Sequence, residues 1–212
     1  MLERLSNQGG IDWLRERAGH ATASRFCDIL AVKRDGSPTK ARDDYLMELV
    51  VERITGESIE TAASFAMKWG TDAEPYARAQ YEADTGSMVR EVGFCRHPSI
   101  EWIGASSDGL VGDSGGIEIK SPFNSAIHLQ TWADGMPEHH KPQVFGQMWV
   151  LGLEWIDFCS YDPRMQNGGS HLKLYCQRIM RDEKYIADLE KQICTFLDEV
   201  EAKVRLFMSI GE

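Results

Sequence analysis

Apolar residues recur at three- and four-residue spacing between Glu183 and Phe207, at Ile186, Leu189, Ile193, Phe196, Leu197, Val200, Val204 and Phe207. That period predicts one long helix with a single buried stripe. A second, mostly apolar stripe, Tyr45, Leu46, Leu49, Val50, Arg53 and Ile54, predicts a helix over 41–54 that Gly56 stops, and shorter helices are predicted over 11–17 and from Thr22 onward. From Phe65 to Asp84 the pattern is helical again, with Gly70 and Pro75 predicting an interruption or a fresh start near Glu74. The period then shortens to two. Strand-like runs over 88–95, 102–106 and 116–121 are separated by the turn formers His97-Pro98, Asp108-Gly109 and Asp113 to Gly116. Beyond Pro122, helices over 125–133 and 142–151 and strands over 155–161 and 171–179 precede the closing helix. Helices on either side of a strand-rich middle predict an α/β domain. With no repeat, low-complexity tract or linker to divide it, the chain of residues 1–212 is expected to form a single domain.

Composition narrows the class without naming a function. A hydrophobic content of 42%, with six Trp and eight Phe, excludes a disordered chain. No apolar run approaches the roughly 20 residues that span a bilayer, and MLERLSNQGG lacks an apolar signal core, so a cytoplasmic location is expected. Cys27, Cys95, Cys159, Cys176 and Cys194 form no C-x-x-C pair, which points to reduced thiols rather than a disulfide framework or a zinc site. The histidines form no zinc-enzyme pattern either, and His140 draws attention only by its closeness to Gln143. The net charge of −10 runs against a protein that holds nucleic acid through a basic surface. It is compatible with one if the acidic residues serve metal ligation and the outer surface while the basic ones gather along one groove.

The segment SSDGLVGDSGGIEIK carries the candidate chemistry. Alternation in a strand puts Glu118 and Lys120 on one face and Ile117 and Ile119 on the other, and a return through Gly112 to Gly116 would bring Asp108 beside Glu118. Two carboxylates meeting there make a hard-oxygen site suited to Mg²⁺, and a neighbouring lysine can orient or help deprotonate an attacking water. The same alternation also describes any half-exposed strand, and Asp-Gly is an ordinary turn pair, so the pattern by itself leaves the role open.

Asp108 followed by Glu118-Ile119-Lys120 resembles the D…(D/E)-x-K core of the restriction-endonuclease-like, or PD-(D/E)XK, nuclease superfamily. Around it an ordered set resembles the lambda exonuclease family of YqaJ-like viral recombinases. It comprises Trp13 to Ser24, Trp69 to Glu74, S-x-D-G-L at Asp108, E-I-K-S-P-F, Gln143 with Met148-Trp149-Val150, Y-D-P-R-M from Tyr161 and R-D-E-K-Y from Arg181. The resemblance implies a restriction-endonuclease-like α/β core in which a central mixed β-sheet is flanked by helices. It also implies a Mg²⁺-dependent 5′→3′ exonuclease that digests one strand of linear duplex DNA from 5′-phosphorylated ends to mononucleotides, leaving 3′ overhangs for single-strand annealing. A homotrimeric ring, an annealing-protein partner and a phage or prophage setting come with it.

Carried over by position, the resemblance implies that Asp108, Glu118 and the Ile119 carbonyl ligate two Mg²⁺ ions, with Mn²⁺ as an alternative, and that Lys120 holds the nucleophilic water. Glu74 would complete the acidic cluster, and Gln143 would touch the substrate or that water. Arg17, Thr22 and Ser24 match a 5′-phosphate pocket, whose chemistry suits an arginine fork and two hydroxyls near a helix start. Taken alone, Thr22 could equally be a helix cap and Arg17 a surface charge. Met67 matches an apolar wedge that separates the strands of the entering duplex, and methionine is equally a common core filler. Gln147 departs from the family, which often has Tyr in a Q-x-x-x-Y motif. Two competing readings remain: a nuclease of the same core that cuts internally or from the other end, and an idle DNA-end-binding protein. The lack of a clustered cysteine set argues against the iron–sulfur branch.

Overall fold

The computed structural model describes residues 11–59 and 64–210. The N-terminal decapeptide, in which the sequence lacks an apolar leader core, lies outside the described residues. In chain order the elements are α1 (Ile11–Arg17), β1 (Ala21–Thr22), α2 (Phe26–Leu30), α3 (Lys40–Thr55), α4 (Phe65–Thr85), β2 (Val89–Arg90), β3 (Cys95–Arg96), β4 (Ile103–Ala105), β5 (Gly109–Val111), β6 (Gly115–Lys120), α5 (Ser125–Asp134), α6 (Lys141–Leu151), β7 (Trp155–Tyr161), β8 (Leu174–Met180) and α7 (Glu183–Met208).

The alternating middle of the chain builds a five-stranded mixed sheet of order β2-β5-β6-β7-β8, in which only β6 and β7 run parallel. A smaller sheet, β1-β4-β3, lies beside it. Helices cover both faces. Ile156 and Phe158 of β7 join the main core with α2, α3, α6 and α7, and Ile117, Ile119, Cys159 and Tyr161 pack against Ala73, Ala77 and Tyr81 of α4 on the opposite face. Gly146 allows α6 its close approach to α2, because a Cβ there would stand 2.6 Å from the Phe26 ring. The predicted α7 stripe is buried from Ile186 to Val200, Phe207 remains exposed, and Asp182 caps the helix by accepting from the Lys184 and Tyr185 amides. Among the described residues no helix is long and apolar enough to cross a membrane.

Four predicted features differ, the first being the turn expected at Asp108-Gly109, where Gly109 instead opens β5. α4 runs unbroken through Pro75. The residue whose carbonyl loses a partner to that proline, Thr71, lies on an exposed turn where water can replace it. The run over 88–95 is not one strand but divides into β2 and β3, which belong to different sheets. No helix starts at Thr22, which ends β1, and a 3₁₀ turn over Ala23–Arg25 precedes α2.

Candidate active site

The β5–β6 hairpin turns at Gly112, whose φ of +60° suits glycine, and pairs Gly109 with Ile117. One step beyond that pair, Asp108 stands opposite Glu118. The Asp108 Oδ2 accepts the Ile119 N–H at 2.6 Å. In an extended strand the N–H and C=O of one residue leave on the same edge, so the Ile119 carbonyl also faces the Asp108 side, away from β7. The preceding member of that edge is closed: the Ile117 carbonyl accepts from Ser107 Oγ at 3.0 Å.

On the other face, α6 lays two amides over Glu118, which is 1% exposed. Gln143 Nε2 donates to Oε1 at 2.7 Å, and Gln147 Nε2 donates to Oε2 at 2.6 Å and to the Ser106 carbonyl at 2.9 Å. Lys120 Nζ reaches the same Oε1 at 2.5 Å. Gln147 and Ser106 were not singled out by sequence as site residues. For Gln147 a signal existed, since it lies one helical turn after Gln143 and interrupts an otherwise apolar helix. For Ser106 there was none.

Electrostatics separates these groups. Burial, then Glu118, then Glu74 push the Asp108 carboxyl well above its ordinary value, against the pull of Lys120 and the Ile119 amide. Burial raises Glu74 as well, with Arg78 opposing and Glu118 adding to the rise. Glu74 thus lies within the field of the pair, yet its own bond is to Arg78 at 2.6 Å, and that guanidinium also holds Glu91 at 2.6 Å. Burial opposes the charge on Lys120, but Glu118 and Asp108 outweigh it and hold the ammonium above its usual value. The lysine is therefore a fixed cation suited to orienting a water rather than deprotonating it. His140 faces the same place: burial, then Lys120, then His139 push it down to about 3, so it stays neutral.

Among the described residues no three His, Cys, Asp or Glu side chains converge as a ready-made metal cage. The donors at hand are nevertheless all hard oxygens, two carboxylates and a strand carbonyl, and after burial it is repulsion from Glu118 and Glu74 that raises Asp108. A divalent cation would relieve that repulsion, and on this chemistry the residues fit Mg²⁺ or Mn²⁺.

A second group of predicted residues also meets. Arg17 donates to Thr22 Oγ1 at 3.4 Å, Thr22 Oγ1 and Ser24 Oγ lie 3.2 Å apart, and the guanidinium sits 4.0 Å above the Trp13 ring. Thr22 makes no side-chain cap bond, so the helix-cap alternative fails. These residues line a cleft of about 590 Å³ together with Met67, which is 57% exposed and therefore not a core filler. Two links connect the cleft to the carboxylates. Trp13 Nε1 donates to Ser106 Oγ at 3.1 Å, next to the Gln147 bond to the Ser106 carbonyl. Met67 and Glu74 lie two turns apart on one face of α4, a rise of about 10 Å.

Residues 12–154 match the YqaJ-like viral recombinase domain family. The fold is similar to that of the alkaline exonuclease LHK-Exo from Laribacter hongkongensis, with 39% identity and a TM-score of 0.84 over 93% of this chain and 95% of that one. The structure of LHK-Exo in complex with dAMP matches equally, at 40% identity and a TM-score of 0.84 over 92% of this chain and 95% of that one. A phage-related exonuclease from Haemophilus somnus 129PT shares the fold at 13% identity and a TM-score of 0.65, over 90% of this chain and 96% of that one. No curated protein matches the chain.

Proposed function

The chain belongs to the YqaJ-like viral recombinase family, and from that premise we propose that it is a Mg²⁺-dependent DNA exonuclease that degrades one strand of linear duplex in the 5′→3′ direction from phosphorylated ends. The observation that carries the reading is the convergence of the β5–β6 hairpin and α6 on Glu118, joined through Ser106 to the Arg17 cleft. A bound divalent cation would supply Lewis acidity at the scissile phosphate and make a bound water more acidic, with Asp108, Glu118 and the Ile119 carbonyl as its ligands and Mn²⁺ as an alternative ion.

The rest falls to the chain itself. Gln143 and Gln147 fix the carboxylate of Glu118, and Lys120, a permanent cation here, donates to the attacking water and places it. Glu74 adds negative charge, which raises the proton affinity of Asp108 and would attract a divalent cation as well. Arg17, Thr22 and Ser24 offer charge-assisted and neutral donors to a terminal 5′-phosphate, which sets the polarity of digestion. Met67 would wedge between the last paired bases, a role supported by its exposure and by its place in the lining of that cleft. The products on this reading are mononucleotides and a 3′ overhang for a single-strand annealing protein, and a homotrimeric ring would supply processivity.

The test is digestion of end-labelled linear duplex, with Mg²⁺ or with EDTA, on matched 5′-phosphate and 5′-hydroxyl ends. Release of mononucleotides from the 5′ end in Mg²⁺ only, faster on phosphate, is the expected result. Shortening from the 3′ end, cutting of closed circles, or binding without hydrolysis would overturn it.

A further inference from the structure

We propose that Phe65, Trp69 and Phe123 form a stacking platform for a nucleobase that has left the duplex beside the phosphodiester at the active site. The proposal rests on the reading of the protein as a DNA nuclease and assigns it a further substrate contact. Phe65 is 70% exposed and Phe123 47% exposed, and their rings meet edge to face with centroids 5.0 Å apart. Trp69, one turn after Phe65 on α4, meets Phe123 at 5.8 Å. Single exposed apolar residues are common on protein surfaces, but here large rings assemble into one patch at a defined place. Phe123 follows Lys120 by three residues, so its Cα lies within about 11 Å of the Cα of that lysine. Phe65 lies two residues before Met67, which lines the Arg17 cleft, and on a different face of α4.

The platform is held rigid from below. Arg164, in the Y-D-P-R-M segment, donates from Nε and Nη2 to Asp162 at 2.7 and 2.8 Å, and from Nη1 and Nη2 to the Phe123 and Pro122 carbonyls at 2.8 and 3.2 Å. Its guanidinium stands 4.6 Å from the Trp69 ring centroid and 5.8 Å from that of Phe123. Since both carboxylate and carbonyls already engage the arginine, it serves as a strut that fixes the 120–123 turn and adds a cation to the aromatic group. Rings ordered in advance lose little freedom on binding. Every base has a π-face, so such a surface takes bases without regard to sequence, but only bases whose faces a duplex stack no longer covers. An end being separated and shortened supplies them.

The experiment measures binding in EDTA, where hydrolysis is absent, by anisotropy of labelled DNA. The probes are a blunt duplex, the same duplex with three unpaired terminal nucleotides, and that frayed duplex with the unpaired positions abasic. Wild type should prefer the frayed over the abasic probe on the order of tenfold. The Phe65→Ala, Phe123→Ala double variant should lose that preference, and Phe123→Trp should keep it. Phe65→Ala alone, a change at a largely exposed site, should lose part of it, so the idea remains testable if the double variant folds poorly. Equal wild-type affinity for the frayed and abasic probes, or equal losses on both in the variants, would overturn the platform. So would a fall in molecular mass in the variants, which would identify the patch as a contact between copies of this chain. If wild type hydrolyses DNA but ignores the unpaired bases, the platform alone fails; if it stacks bases but never hydrolyses, the nuclease reading fails.

Discussion

Replacing Gln147 with methionine, which keeps the length of the side chain and removes its donor, tests how Glu118 is held. The change deletes a charge-assisted bond to Glu118 Oε2, worth about 1.5–3 kcal/mol, and a neutral bond to the Ser106 carbonyl, worth about 0.5–1.5 kcal/mol. It also removes Gln147 Oε1, which is buried without a partner, and leaving such an acceptor unmet costs about 1–3 kcal/mol. The offset leaves a net loss near 1–2 kcal/mol, or about 2–8 °C in melting temperature for a chain of this size. The assay is thermal unfolding by circular dichroism, first in EDTA and then in millimolar Mg²⁺. An Oε2 relieved of its amide is free for the proposed cation, so Mg²⁺ should stabilise the variant more than wild type and narrow the gap. A gap that stays the same or widens in Mg²⁺ would refute the reasoning, because it would show that the ion does not reach this carboxylate oxygen.

Other outcomes follow from the same geometry. Asp108→Asn should end Mg²⁺-dependent hydrolysis while raising the melting temperature of the metal-free protein at neutral pH. The folded state holds the Asp108 proton more tightly than the unfolded chain does, so its ionisation lowers stability as pH rises above about 4, and the advantage of asparagine should vanish below that pH in a melting series. Arg17→Ala should remove most of the preference for 5′-phosphorylated over 5′-hydroxyl ends, a loss on the order of tenfold to a hundredfold in initial rate, with slow cleavage persisting. Light scattering should give a mass of three chains, and a monomer mass at assay concentration would remove the ring account of processivity.

How much of this was legible beforehand depended on the range of the interactions. The β5–β6 hairpin could be read because strand alternation and a glycine turn are local, and they alone bring Asp108 beside Glu118. The long stripes of α3 and α7 were legible for the same reason. Pro75 misled because its cost depends on whether one carbonyl meets water, which is a property of the folded surface. The division of the 88–95 run between two sheets depends on partners found elsewhere in the chain, β5 for Val89 and β4 for Cys95. Motif position located Arg17, Thr22, Ser24 and Met67, while their shared cleft, and the exposure that argues against a core role for Met67, belong to the tertiary structure. Ser106 is a nondescript residue in sequence, and its place between Trp13 and Gln147 exists only once α1, α6 and the strand ends have met.

Two carboxylates buried on this sheet show why one place invites a ligand and the other does not. Asp157 on β7 accepts from Tyr81 at 2.7 Å and from both arms of Arg178 at 2.8 and 2.9 Å, so its charge is answered within the protein and the group ties α4 to β8. Removing a partner there would leave a charge unpaired, the usual signature of a structural ion pair. Glu118, about as deeply buried, is met by two neutral amides and a single lysine, while Asp108 and Glu74 crowd its field. Positive charge falls short of negative charge at that point, and the resulting repulsion adds to burial in raising Asp108 instead of being relieved by an arginine. A fold selected only for stability would close such a site with a second cation from the chain; leaving it open costs stability and keeps room for a divalent one. The same reasoning changes the meaning of the net charge of −10. On the proposed reading part of it sits where a metal would neutralise it, while Arg17 and Lys120 would meet phosphates, so the acidic total does not describe the surface proposed to meet the substrate.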